Sequence, residues 1–587
     1  MKKRFLPFLI LPFIGLLTGC FFLNPNVSLV TADEGIYETR NVDVYRRKGV
    51  AGATFPVRFY QSSPHVPYVG IGRYFKMFFS ISLRRTSLDK GYSYYLAGNA
   101  YVKALTDSNE FIVSGFDYLG SNPDFGTVSA KTFIIDGEAN GVNPEEKTFY
   151  LSNYSMDIYL GSDDAYVPLG LLSNLFGGTS LFNIIYNGQD IYEIDMNGQL
   201  SNGVSRTVDY YGESYYQPLK RLVRYEDMVE FNYNLLCLTF DNCRGYTEQM
   251  VFGDEQFRTY GFDSFLSQEY PQIKENLLST SNIDYQKGLL ALFTGLYDGG
   301  HTGLLSSTYP DRNYASSLLT DESLSSLVNK YKDTTSNFSN SRALIQKTRK
   351  EAFNVSNDKY YLYDSEHKTS YIGFDSFDYD YEGWNEYYTK KGQIPVESDT
   401  YAYVRDKLYK AKSDGAKNII LDISNNTGGA LASLIGIASL FHNAEASFRM
   451  HDVLDGSKIE TKIYVDTNLD GKYNTLDVKE CDNFNFKVAV MTSCVSFSCG
   501  NLLPFLMKEY GYKIIGEKSG GGSCTITTES TADGAFYVRS SSSTLCDASF
   551  NNVDGGMKVD VDLLGNNDGE KSYDRFFDYD SIKDIFE

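Results

Sequence analysis

The chain has 587 residues, 54 of them basic and 75 acidic, for a formal charge of −21. An aromatic share of 15%, carried by 48 Tyr and 39 Phe, excludes a disordered chain, which is aromatic-poor. The acidic balance excludes nucleic acid as a partner, because such binders show a basic footprint. At about 150 residues per domain, the length predicts three or four domains.

Lys2-Lys3-Arg4 opens the chain, and Phe5 to Leu17 is a continuous apolar run. Its length suits a signal-peptide core and is too short to span a bilayer. The run ends in Leu17-Thr18-Gly19-Cys20, which resembles a bacterial lipobox. That resemblance implies lipid attachment at Cys20 and an extracytoplasmic, membrane-anchored protein, with residues 1–20 a lipoprotein signal peptide outside the fold. Seven further cysteines remain: Cys237, Cys243, Cys481, Cys494, Cys499, Cys524 and Cys546. Export permits disulfides, and an odd count leaves one thiol unpaired. Their spacing fits no zinc pattern.

Residues 21–215 read as a β-rich N-terminal domain, with alternating segments such as Ala53 to Tyr60 broken by Gly, Asn, Asp and Pro. Two stretches look alike, Val66-Pro67-Tyr68-Val69-Gly70-Ile71 and Val167-Pro168-Leu169-Gly170-Leu171-Leu172. Each predicts a short following helix, and the second loosely resembles stalk-like substrate-binding modules of secreted proteins. Residues 216–358 take helical periodicity and are expected to form a helical cap region, with a polar helical or loop connection from 304 to 358. From 359 to 587 strands and helices alternate, which predicts an α/β core. The acidic stretch from Asp568 to Glu587 reads as a solvated surface.

Three turns in this order carry chemistry. Asp298-Gly299-Gly300-His301-Thr302-Gly303 follows a predicted helix and offers His301, one of five histidines. A neutral imidazole is the usual base for a serine hydroxyl. Asn425-Asn426-Thr427-Gly428-Gly429 ends a buried strand, and its glycines let backbone N–H groups approach a ligand. Ser496-Phe497-Ser498-Cys499-Gly500-Asn501 lies between a buried strand and an amphipathic helix. Ser498 there has two uses, as a helix cap or as a nucleophile beside free N–H groups. The N–H of Gly428 or Gly429 with that of Cys499 makes a candidate oxyanion hole. Cys499 itself is the alternative nucleophile.

Together these turns, with Tyr371-Ile372-Gly373-Phe374 and Ile514-Ile515-Gly516-Glu517-Lys518, resemble the tail-specific (C-terminal processing) and tricorn-core serine peptidases over residues 216–587. The resemblance implies a crotonase/ClpP-like β-α spiral core, a helical cap, and cleavage of a protein or peptide substrate without a catalytic cofactor. It aligns Ser498 with the nucleophile. The tail-specific branch uses a lysine about 25 residues beyond the serine, where this chain has Gly521-Gly522-Ser523. The tricorn-like branch uses a histidine at the position of His301, oriented by a carboxylate. Asp554 is the first candidate for that carboxylate and Asp560 the second. No stretch between 302 and 370 reads as a tail-binding module.

Asp466 to Asp477 fits a twelve-residue calcium loop. Oxygen donors fall at Asp466, Asn468, Asp470 and Asn474, a backbone carbonyl at Lys472, Gly at position six, and an acid at Asp477. It resembles dockerin-like loops and implies a structural Ca2+. Against the peptidase stands a second expectation, a catalytically inactive lipoprotein of the same fold that binds peptides or glycans.

Overall fold

A computed structural model describes residues 3–4, 35–46, 50–95, 100–116, 131–142, 144–177, 182–195, 223–306, 322–567 and 570–586. Cys20 lies outside the described residues. Among those described, no helix is long and apolar enough to cross a membrane.

The N-terminal region is β-rich, as its alternation requires. Phe55, Val57 and Phe59 point into a core, and their strand Val50–Tyr60 pairs antiparallel with Ile36–Arg46 in a seven-stranded sheet. A five-stranded sheet runs from Arg84–Leu88 to Lys147–Tyr150. The two look-alike stretches lie side by side, with Val167 opposite Val69. Each leads into a helix, Ile71–Phe78 and Leu169–Leu172. Asp164 caps the first of these by accepting the N–H groups of Gly72 and Arg73.

This region has its own sheets and core, yet one of its strands leaves it. Ile134–Val142 pairs antiparallel with Lys458–Val465, and Phe133 packs against Trp384 and Tyr401 of the C-terminal half. The resulting third sheet continues through Glu445–Asp452 and Phe536–Cys546 to Gly303–Ser306. At its outer edge Lys3 pairs with Ala139 and Arg4 with Glu138.

The cap packs helices Glu226–Asn242, Phe262–Glu269 and Asn282–Leu296 around Phe240, Phe262, Phe265 and Leu292. The polar connection resolves into a helix of 29 residues, Ser325–Phe353. Its stripe of Leu327, Val328, Ile345 and Arg349 is buried, which is what holds so polar a sequence helical.

The α/β core is a six-stranded sheet in the order Lys359–Asp364, Thr369–Phe374, Asn418–Asp422, Lys487–Thr492, Lys513–Gly516, Val561–Asp562. Its pairs are parallel except the first. Both faces are buried, as parallel sheets require. Ile419, Leu421, Val488 and Val490 face the helices Thr400–Asp414, Leu431–Leu440 and Cys499–Glu509. Ile420, Ala489, Met491 and Ile515 face Ile345 and the C-terminal turns. That second face overturns the solvated reading of the acidic tail. Tyr573, Phe576, Phe577, Ile582 and Phe586 are buried between its acids, each large apolar group stabilising by about 1.5–3 kcal/mol.

Candidate active site

The strand Lys487–Thr492 ends in a turn tied to its neighbour. Ser493 and Ser496 donate their hydroxyls to the carbonyls of Ser424 and Ile423, and the Phe497 N–H donates to the Asn426 carbonyl at 3.1 Å. Ser498 then stands at the start of the helix Cys499–Glu509 with φ 56° and ψ −119°. A left-handed φ is strained for a residue with a side chain and persists only where the surroundings over-determine it. Here the Ser498 N–H donates to the Gly521 carbonyl at 2.9 Å. Gly428 sits so close that a Cβ on it would lie 2.7 Å from Ser498 Cβ. Ser498 makes no side-chain cap bond. Its hydroxyl is not spent on the helix, and its side chain is half-buried in an otherwise buried turn.

The second turn decides between the two glycines. The Gly428 N–H donates to Asn426 Oδ1 at 2.8 Å and is therefore occupied, which leaves Gly429 of the two expected alternatives. The N–H groups of Gly429 and Cys499 have no partner among the described residues. This turn is held from behind by a buried network. Arg349 reaches both oxygens of Asp375 at 2.8 and 3.0 Å, and Asn425 donates to the same carboxylate. Burial pushes the Cys499 thiol up to about 12, and its Sγ donates to the Gly429 carbonyl. Buried and engaged in this way, the thiol is poorly placed to act as the nucleophile.

His301 follows the helix Asn282–Leu296. Asp298 shapes its turn by accepting from the Thr302 N–H, the Thr302 hydroxyl and the Ser540 hydroxyl, each at 2.7 Å. The imidazole is 5% exposed and meets the Phe497 ring edge to face at 4.8 Å, one residue from Ser498. Burial lowers its pKa, against the opposing pull of Asp298, Asp554 and the Cys524 carbonyl. Its Nδ1 is buried without a hydrogen-bond partner, and no bond joins it to Ser498 among the described residues.

Asp554 lies near the ring but is otherwise engaged. Its Oδ1 accepts the N–H groups of Gly522 and Ser523 at 3.1 and 3.0 Å, and its Oδ2 accepts the Glu248 N–H at 2.6 Å. It acts on His301 through charge and anchors the glycine-rich loop; it is not a hydrogen-bonded orienting group. Asp560 is elsewhere, bound to Lys508 and the Ile514 N–H. Two groups escaped the sequence reading. Asp298 was visible in its motif but unassigned, and the Glu248–Gln249 segment carries no motif at all.

The calcium loop finds no support in the arrangement of its acids. Among the described residues, no three His, Cys, Asp or Glu side chains converge as a metal site. Asp466 accepts the N–H groups of Asp470 and Gly471 and the Tyr388 hydroxyl. Asn468 accepts the Asp470 N–H, and Asp470 that of Lys472. Asn474 and Asp477 form a capping box for the helix Thr475–Cys481. The Asp/Asn spacing thus serves consecutive turns and a helix cap.

A hydroxyl freed from capping, free N–H groups at a helix start and a nearby imidazole define a serine-hydrolase type of site on an α/β sheet. Residues 368–563 match the model of Peptidase family S41. Ser498, Gly429, Cys499 and Asp554 fall inside the match and His301 outside it. The chain is similar to a probable CtpA-like serine protease of Staphylococcus aureus (strain COL), 27% identical over 157 residues, or 25% of this chain and 29% of that protein. A counterpart in Staphylococcus epidermidis is 26% identical over 156 residues. The chain thus spans under a third of the length of these relatives. Among solved structures, a putative peptidase from Parabacteroides merdae is 15% identical, covering 54% of this chain and 87% of that one, with TM-score 0.34. A lipoprotein from Streptococcus agalactiae is 17% identical, covering 54% and 86%, with TM-score 0.29. Scores this low bear on neither the site nor the activity.

Proposed function

We propose that this chain is a serine peptidase, held outside the cytoplasm by a lipid on Cys20, that cleaves peptide bonds through an acyl-enzyme on Ser498. The observation that carries the reading is Ser498 itself, a strained, half-buried serine with an uncommitted hydroxyl. The unpaired N–H groups of Gly429 and Cys499 stand at the same turns. Ser498 Oγ attacks the peptide carbonyl as His301 takes its proton. The Gly429 and Cys499 N–H groups receive the oxyanion. His301 returns the proton to the leaving amine, and water releases the acyl group. Asp298 and Asp554 stabilise the imidazolium by charge. The β-α repeat of the core suits the crotonase/ClpP-like spiral.

A second reading, an inactive peptide- or glycan-binding lipoprotein, is favoured by one fact, the missing hydrogen bond between Ser498 and His301. Resting sites are often looser than reacting ones, so the first reading stands. The full chain is tested with a fluorophosphonate probe and with unfolded protein substrates. Wild type is expected to label and cleave, Ser498→Ala to do neither, and His301→Ala to lose at least ~100-fold. A wild type that neither labels nor cleaves overturns the peptidase.

A further inference from the structure

The segment around Gln249 enters the site from the cap, between the helices Glu226–Asn242 and Asp254–Tyr260. Gln249 Nε2 donates to the Gly520 carbonyl. The same side chain lies against two glycines. A Cβ on Gly299 would lie 2.8 Å from Gln249 Oε1, and a Cβ on Gly521 would lie 3.3 Å from its Nε2. Both positions have left-handed φ, 94° and 84°, so glycine there leaves room for the amide as well as for the turn. These contacts fall on the two halves of the proposed machinery. Gly299 is two residues before His301. Gly521 is the residue whose carbonyl accepts the Ser498 N–H. One residue earlier, the Glu248 N–H holds Asp554.

We infer that Gln249 is a positioning residue, whose side-chain amide clasps the His301 turn to the loop that holds Ser498. The inference rests on the Ser498–His301 reading above. Base and nucleophile come from different parts of the chain, and their separation depends on what joins those parts. The Phe497 ring does so by packing, lying against Gly299, Gly522 and His301. Packing alone is non-directional. The Gln249 amide adds a directed bond to the Gly520 carbonyl and fixes the distance between the two glycine turns.

The test uses the full chain with Gln249→Ala, Gln249→Asn and Gln249→Met beside wild type. Fluorophosphonate labelling rate, kcat, KM and melting temperature are measured. Met keeps the length without the donor, and Asn keeps the amide one methylene short. All three are expected to lose about 10–100-fold in kcat and labelling rate, the scale of a small misplacement of reacting groups, with KM and melting temperature unchanged. Should Gln249→Ala fail to fold, Asn and Met carry the comparison. Wild-type rates in the folded variants overturn the clasp and leave the peptidase intact. Rate losses that track losses of melting temperature also overturn it. A wild type that does not label overturns both readings.

Discussion

At the scale of single residues, the site is a set of groups whose ordinary uses have been withheld. Ser498 does not cap its helix, Gly429 and Cys499 keep their N–H groups free, and the His301 ring is held neutral by burial. The last has a pH consequence. The folded pKa of His301 lies below the ordinary value of about 6.5, so at mildly acidic pH the unfolded chain binds a proton that the native chain does not. Stability is fully present above about pH 6.5 and falls as pH drops toward the lowered folded pKa. Denaturant titrations from pH 8 to 5 are expected to show this loss, and His301→Gln to flatten it. The acid limb of kcat/KM, set by the same group, is expected below pH 6.5. Gly428→Ala is the steric counterpart. Its methyl would meet Ser498 Cβ at 2.7 Å and Phe497 O at 2.9 Å on a backbone with φ 105°. Activity is expected to fall at least ~100-fold, read as labelling rate.

At the scale of elements, turns that look alike in sequence divide into those that act and those that fasten. The Asp466–Asp477 loop is a fastening turn. Its carboxylates face its own N–H groups, and Asp477 closes a capping box. EGTA is therefore expected to leave the melting temperature unchanged. Asp477→Ala is expected to cost about 1–2 kcal/mol in denaturant unfolding, the scale of a lost cap. The helix Ser325–Phe353 fastens from the other side. Its Arg349, 1% exposed, holds Asp375 and through it the turn of Gly429. That helix was legible as a polar connection and not as a support, because its buried stripe is too sparse to stand out among Ser, Asn and Lys. The nucleophile turn was legible for the opposite reason. Strand, glycine and helix signals all change within ten residues, and backbone rules act at that range.

At the scale of the whole molecule, the C-terminal half does not close on itself. Ile134–Val142 supplies an edge to Lys458–Val465, and Phe133 fills a gap beside Trp384 and Tyr401. Further up, Asn183 reaches Thr528 and Ile185 packs on Phe536, both in the hairpin that follows the glycine loop. A chain of residues 223–587 alone is expected to unfold non-cooperatively or aggregate, since it exposes a strand edge and an aromatic cavity. Adding residues 35–222 is expected to restore a single transition by circular dichroism; cooperative unfolding of the shorter chain would refute that dependence. The sequence by itself determined the broad class: a β-rich start, a helical middle, an α/β end, and three turns with the residue types of a serine hydrolase. Each rests on local periodicity or on backbone chemistry within one turn. Only the tertiary structure decided that Gly429 and not Gly428 keeps a free N–H, that Asp554 is committed to a loop, that Gln249 enters the site, and that an N-terminal strand completes a C-terminal sheet. Those outcomes depend on which distant groups compete for the same hydrogen bond or the same space, and that competition exists only once the chain has folded.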